Sequence, residues 1–173
     1  MMRSLGVSGR VAQAMVVALA VATTSAGVQA QSTSAAGKQR AGSSQALERG
    51  RYLVMIGGCN DCHTPGFAVS GGKLPEKDWL VGDSVGFSGP WGITYASNLR
   101  LLVSNMTQQD WIKRAHSEMR PPMPAPSLHH MHEDDLKAVY RFIASLGPAG
   151  KPAPQYLPPG SKPTGPVVVF PTP

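Results

Sequence analysis

Apolar residues recur at helical spacing in three separate stretches of this chain. The clearest is the last, where Leu136, Val139, Tyr140, Ile143 and Leu146 fall on one face of a 3.6-residue repeat. Three acids, Glu133 to Asp135, occupy its first turn and Gly147-Pro148 closes it, so the pattern predicts a helix from about Glu133 to Leu146. A second, shorter helix is signalled by Thr107-Gln108-Gln109-Asp110, a cap-like pattern with Asp where a capping box has Glu or Gln, followed by Trp111, Ile112 and Ala115 and ending near Glu118. The third runs from about Gln45 toward Gly57, with Ser44 as its cap and Glu48 near its positive end. Leu47, Tyr52, Val54, Met55 and Ile56 give it apolar surface, and Gly50 lets another helix approach closely.

Between these helices lie long Gly- and Pro-rich segments, Thr64 to Met106 and Arg120 to His132. Loops of that length are uncommon in a compact domain and need something to fold around. With only 6% aromatic residues and no disulfide framework, a bound prosthetic group is the natural candidate. From Pro148 to Pro173 nine of twenty-six residues are proline, which excludes helix and favours extended polyproline geometry. Such a tail either packs loosely and stays mobile, or lays its apolar end, Val167 to Phe170, against the domain or a partner. Composition does not choose between these.

The N-terminal end reads as a targeting segment. Arg3 and Arg10 precede an Ala/Val-rich run from Val11 to Ala22, and small residues follow to Val28-Gln29-Ala30, the order of a secretory signal with cleavage after Ala30. A membrane span needs about 20 predominantly apolar residues, and Gln13 interrupts a run already shorter than that. A membrane association is therefore expected only if the signal is retained as an anchor. The organisation that follows is a signal over residues 1–30, a small polar flexible linker over 31–44, one domain over 45–148 and the proline-rich tail over 149–173. The formal net charge of +6 invites a nucleic-acid partner, but from Gln45 to Pro148 ten basic residues face ten acidic ones. The excess base lies in the leader and tails, so the basic face that a nucleic-acid binder carries on its folded part is missing.

Chemistry concentrates in "GGCNDCHTPG", Gly57 to Gly66, which holds both cysteines of the chain, Cys59 and Cys62, with His63 directly behind the second. A disulfide oxidoreductase would set the pair at the start of a helix in a strand–helix alternation, which does not surround it. Structural zinc wants four ligands, and no third cysteine exists, although His116, His129, His130 and His132 are available to complete a set. A structural disulfide across so short a loop would remove little unfolded-chain entropy. Covalent haem attachment accounts for all three residues: each thiol adds to one haem vinyl group, and the adjacent imidazole becomes the proximal iron ligand.

With that motif, the segments "ERGRYLVMIGGCNDCHTPG", "GPWGITYASNLR" and "RPPMPAPSLHHMHEDDLKAVYRFIASLGP" resemble a monohaem class I c-type cytochrome. They are similar in particular to the modules that serve bacterial membrane dehydrogenases. The resemblance covers Gln45 to Pro148 and implies an all-α fold, with helices and long loops wrapped around one covalently attached haem c and the first and last helices crossing near Gly50 and Tyr140. It also implies a distal methionine ligand before the last helix, at Met123 in "RPPMP", with Met119 and Met131 as rivals. Asn98 matches the family's Tyr-x-x-Asn-Leu segment and is expected to make a structural hydrogen bond near the haem. Trp79, Trp91 and Tyr95 are expected to pack against the porphyrin, one of them bonding a propionate. The chain departs from the family at Ala125, where relatives often carry Trp, and at "HHMH", where His132 takes a cap position usually held by Ser or Thr.

The function expected from this is periplasmic electron transfer, with iron cycling between ferric and ferrous and no substrate transformed by the chain itself. The expected partners are redox proteins: a dehydrogenase as donor, and an oxidase or another cytochrome as acceptor. The competing reading is a haem enzyme or gas sensor with an open sixth position, served by His116, His129 or His130.

Overall fold

The computed structural model describes residues 25–171, so the leader expected over residues 1–30 lies for the most part outside the described residues. The described residues divide after Gly37 into two units, and the second holds every element after the first helix. Helix α1 spans Ser25–Ile56 and begins well ahead of the expected start at Gln45. It includes the stretch 31–44 whose small polar composition suggested a linker; that stretch has no proline and several Ala, Gln, Lys and Arg, all good helix formers. No helix among the described residues is long and apolar enough to cross a membrane.

Helices α2 (Cys59–His63), α3 (Leu99–Ser104), α4 (Gln108–Ala115), α5 (Ala125–His129) and α6 (Glu133–Ser145) follow. Helix α4 starts at the Thr107 cap, whose hydroxyl accepts from Asp110 N while the Asp110 carboxylate accepts from the Thr107 backbone, so Asp does the work of the usual Glu. Helix α6 is the centre of the core. Leu136, Val139 and Ile143 are buried among Leu53 and Val54 of α1 and Trp111 and Ile112 of α4. The Trp111 indole N–H donates to the Leu136 carbonyl at 3.0 Å, so this large side chain is buried with its polar atom satisfied. Helix α1 meets α6 at Gly50: a Cβ there would lie 2.1 Å from the Ala138 carbonyl oxygen and 2.8 Å from Phe142 Cβ. Only glycine permits that approach.

The far end of α6 is finished by a buried guanidinium. Arg100, 6% exposed, donates to the carbonyls of Gly147, Leu146 and Lys77. Two of these carbonyls lie just past the last turn of α6, where carbonyls lose their helical partners. Desolvation lowers its pKa, with Asp78 opposing that effect.

The all-α expectation is overturned by a three-stranded mixed sheet in the order β2-β1-β3. Strands β1 (Gly86–Gly89) and β2 (Gly92–Tyr95) form an antiparallel hairpin around Pro90-Trp91, and β3 (Val167–Val169) pairs parallel with β1. The physical reason is local. Ile93, Thr94 and Tyr95 are β-branched or aromatic, and a two-residue turn flanked by glycines separates them from Phe87. Gly92 has φ 100°, and a Cβ on it would meet the Leu157 carbonyl oxygen at 2.3 Å. A fold made of helices and loops alone is therefore not the architecture of this chain.

The proline-rich tail is part of that sheet region. Leu157 and Ile93 exchange both backbone hydrogen bonds, at 2.8 and 3.0 Å, on the outer edge of β2. Gly86 N then donates to Pro166 O at 2.9 Å and Phe170 N to Ser88 O at 2.8 Å on the other edge of the hairpin. Of the two readings of Val167 to Phe170, the structure has the segment against the domain.

Candidate functional site

The short helix α2 holds the whole motif. Helix α1 ends where Gly57 N bonds the Leu53 carbonyl at 2.8 Å and Gly58 N bonds the Met55 carbonyl at 3.2 Å. Gly58 has φ 67°, the left-handed conformation that stops one helix and lets the chain start α2 in a new direction. Cys59 and Cys62 are free thiols, both partly exposed as residues. Burial nevertheless pushes the Cys59 thiol up to about 11, and burial followed by the Asp61 and Asp83 charges also raises Cys62. Redox-active Cys-x-x-Cys pairs depend on a lowered thiol pKa, so these environments argue against dithiol exchange chemistry.

His63 is 8% exposed, and its surroundings fix it by both ring and backbone. Ring Nδ1 lies 2.7 Å from the Ser97 carbonyl oxygen. A carbonyl can only accept, so Nδ1 carries the proton and Nε2 keeps its lone pair. This is the tautomer that a metal-bound imidazole adopts when a carbonyl orients it from behind. Burial lowers the His63 pKa, the Ser97 bond partly opposing, so the neutral ring is favoured. The His63 carbonyl accepts from Gly82 N at 2.8 Å. Behind it, buried Thr64 donates to Asn60 Oδ1 and accepts from Leu80 N, both at 2.7 Å. Leu80 itself has φ 62°, a strained value for a leucine. Ser97, Thr64 and Leu80 were not singled out from sequence. The first and last act through backbone groups, which leave no side-chain signature.

Met123 is half-buried in the turn between Arg120 and α5. Its N–H donates to Arg120 O at 3.3 Å and its carbonyl accepts from Ala125 N at 2.8 Å. Thr94 of β2 fastens this turn by donating to Pro121 O at 2.7 Å. Thr94 and Ser97, three residues apart, therefore bind the Met123 turn and the His63 ring respectively. One stretch of chain registers both. The rival Met131 packs on the apolar core, and Met119 is half-buried at the start of the same turn.

Among the described residues, Trp91 Nε1 is the one buried side-chain nitrogen or oxygen without a protein partner. An orphaned donor of this kind asks for an acceptor the protein does not itself supply. Trp79 differs: its indole donates to Leu74 O at 2.8 Å and its ring packs edge-on to Phe67 and Phe142, a core role. Asn98 caps α3 by accepting from Leu101 N, and its amide donates to Ala149 O and Lys151 O. The histidine cluster does not converge. His116 stacks on His129 with centroids 6.4 Å apart, His130 Nδ1 bonds Pro126 O, and His132 caps α6 without a side-chain bond. No group of three or more His, Cys, Asp or Glu among the described residues is arranged to hold a metal ion.

No family model matches the chain, and no solved structure matches it either. It is similar to one of the subunits of nicotinate dehydrogenase from Pseudomonas putida, with 28% identity over 119 residues that cover 62% of this chain and 9% of that protein. The chain thus spans under a tenth of the length of a relative that is itself part of a dehydrogenase.

Proposed function

We propose that this chain is an exported electron carrier with one haem c, held by thioethers from Cys59 and Cys62 and ligated by His63 and Met123. The observation that carries the reading is the Ser97 bond to His63 Nδ1, which leaves Nε2 unprotonated on the residue directly after a Cys-x-x-Cys pair. The orphaned Trp91 Nε1 fits as a donor to a haem propionate. The reading does not depend on an all-helical fold; it rests on the motif and on what surrounds it.

The haem would supply a one-electron Fe(III)/Fe(II) couple, and methionine–histidine ligation sets it at a higher potential than paired histidines. The chain's own residues fix the ligand atoms. Ser97 and Gly82 hold His63, Thr94 holds the Met123 turn, and Pro121, Pro122 and Pro124 restrict that turn's backbone. A site that moves little between oxidation states exchanges electrons with little reorganisation. The periplasm is the proposed compartment. The relative's printed description supports a dehydrogenase as the partner from which electrons are taken.

The test is the optical spectrum of the exported protein, oxidised and reduced, with and without carbon monoxide, followed by denaturing extraction. Haem that stays with the chain, a methionine-to-iron charge-transfer band lost in Met123→Ala, and no carbon monoxide shift are expected. Ready carbon monoxide binding by the unaltered protein would instead favour the enzyme or sensor reading. A colourless protein from a host that matures c-type cytochromes would overturn the haem assignment.

A further inference from the structure

We propose that Tyr156, carried by the C-terminal segment, is a positioning residue for the Met123 turn and acts on it through Arg120. The inference rests on the ligand reading above and extends it to a part of the chain far from the motif. The Arg120 guanidinium lies over the Tyr156 ring, 4.1 Å from its centroid. Arg120 opens the turn that carries Met123, and its carbonyl accepts from Met123 N. Tyr156 in turn is anchored rather than loose. Its hydroxyl donates to Trp91 O at 2.8 Å, and its neighbour Leu157 makes the paired backbone bonds to Ile93. Further along, the Phe170 ring packs 5.5 Å from Trp91. The segment grips the hairpin at both edges and holds out one aromatic face to Arg120.

Together with Thr94 on Pro121 O, this gives the Met123 turn two tethers, both mounted on the hairpin that also supplies Trp91. A thioether is a weak ligand, so an added ligand competes in proportion to the fraction of time the turn swings open. Apparent affinity scales with that open fraction. Losing a cation–aromatic contact at a partly exposed site should raise it about three- to fivefold.

The experiment is imidazole titration of the ferric haem-loaded protein, comparing unaltered chain, Tyr156→Phe and Tyr156→Ala. Tyr156→Ala is expected to bind imidazole about three- to fivefold more tightly, with Tyr156→Phe between it and the unaltered chain because the ring is kept and only the hydroxyl bond is lost. Arg120→Gln removes the same contact from the exposed side and should match Tyr156→Ala, which guards against a variant that fails to fold. Hydrogen exchange gives a second readout: the amides of Met123 and Ala125, the two bonded within residues 119–125, should exchange faster in Tyr156→Ala while those of α6 do not change. Equal imidazole affinity in all variants, or unchanged exchange at these two amides, overturns the proposal. If Met123→Ala leaves the ferric spectrum unaltered, the ligand reading falls and this proposal with it. If Met123→Ala alters the spectrum but the Tyr156 variants bind imidazole as before, only this proposal falls.

Discussion

Replacing Gly50 with alanine tests the helix crossing on which the core is built. The added Cβ would sit 2.1 Å from the Ala138 carbonyl oxygen, 2.7 Å from its carbon and 2.8 Å from Phe142 Cβ. Two of these three atoms are backbone, so no rotamer change relieves the contact and α1 must move away from α6. Overpacking of this kind costs about 1–3 kcal/mol, and a clash with backbone puts the site at the upper end of that range. Alanine also gains about 0.5–1 kcal/mol over glycine inside a helix. The net expectation is a loss of about 2 kcal/mol. With a urea slope of about 2 kcal/mol per molar for a domain of this size, the unfolding midpoint falls by about 1 M. Gly42 supplies the control, because it lies on the same helix with nothing within 4 Å of an added Cβ. Gly42→Ala should be neutral or stabilising by about 0.5–1 kcal/mol. Urea denaturation followed by far-UV circular dichroism reads both. A Gly50→Ala protein as stable as Gly42→Ala would refute the close crossing.

Three further outcomes follow from the same geometry. Asn98→Asp keeps the oxygen that caps α3 but turns two donated bonds, to Ala149 O and Lys151 O, into contacts between oxygens. A loss of about 2 kcal/mol is expected at neutral pH, more than for Asn98→Ser, read by thermal denaturation of both. The Arg49 hydrogen bonds, at 2.8 and 3.0 Å, hold the Asp135 carboxyl below its usual pKa, so their stabilisation is present above the unfolded carboxyl value and is lost as pH falls through the folded one. The difference between unaltered protein and Asp135→Asn should thus be small at pH 7 for so exposed a pair. It should shrink toward zero in acid, and a difference that grows in acid would contradict the sign. Thr107→Ala removes the hydroxyl that caps α4 and should cost about 1 kcal/mol, with the loss of helical ellipticity preceding global unfolding if α4 frays.

Helices α4 and α6 and the end of α1 were legible because their signals are local, whereas α3 and α5 fell within segments read as loops and α2 within the cysteine motif. Leu136, Val139 and Ile143 recur on one face, and α6 runs Glu133–Ser145 against an expected 133 to 146. The Thr107 cap and the Gly50 approach were likewise written in single residues. The sheet was not read, although Ile93-Thr94-Tyr95 after a two-residue turn is a recognisable hairpin signal within a stretch otherwise dominated by glycine and proline. The pairing of Val167 with Gly86 had no local signal at all, because a parallel partner so far along the chain is chosen by tertiary packing. At the site, Cys59, Cys62 and His63 were visible as a motif. What orients His63 was not, because the Ser97 group that does so is a backbone carbonyl, and any residue carries one.

The attachment of the C-terminal segment to the hairpin also sets an order in time. A chain is synthesised from its N-terminus, so residues 57–66 emerge well before residues 156–170 exist to grip Trp91 and Ile93. For that interval β1 lacks its parallel partner β3, β2 lacks the Leu157 bridge, and Arg120 lacks the Tyr156 ring it lies over. The three-stranded sheet therefore cannot form until residues 167–169 have been made.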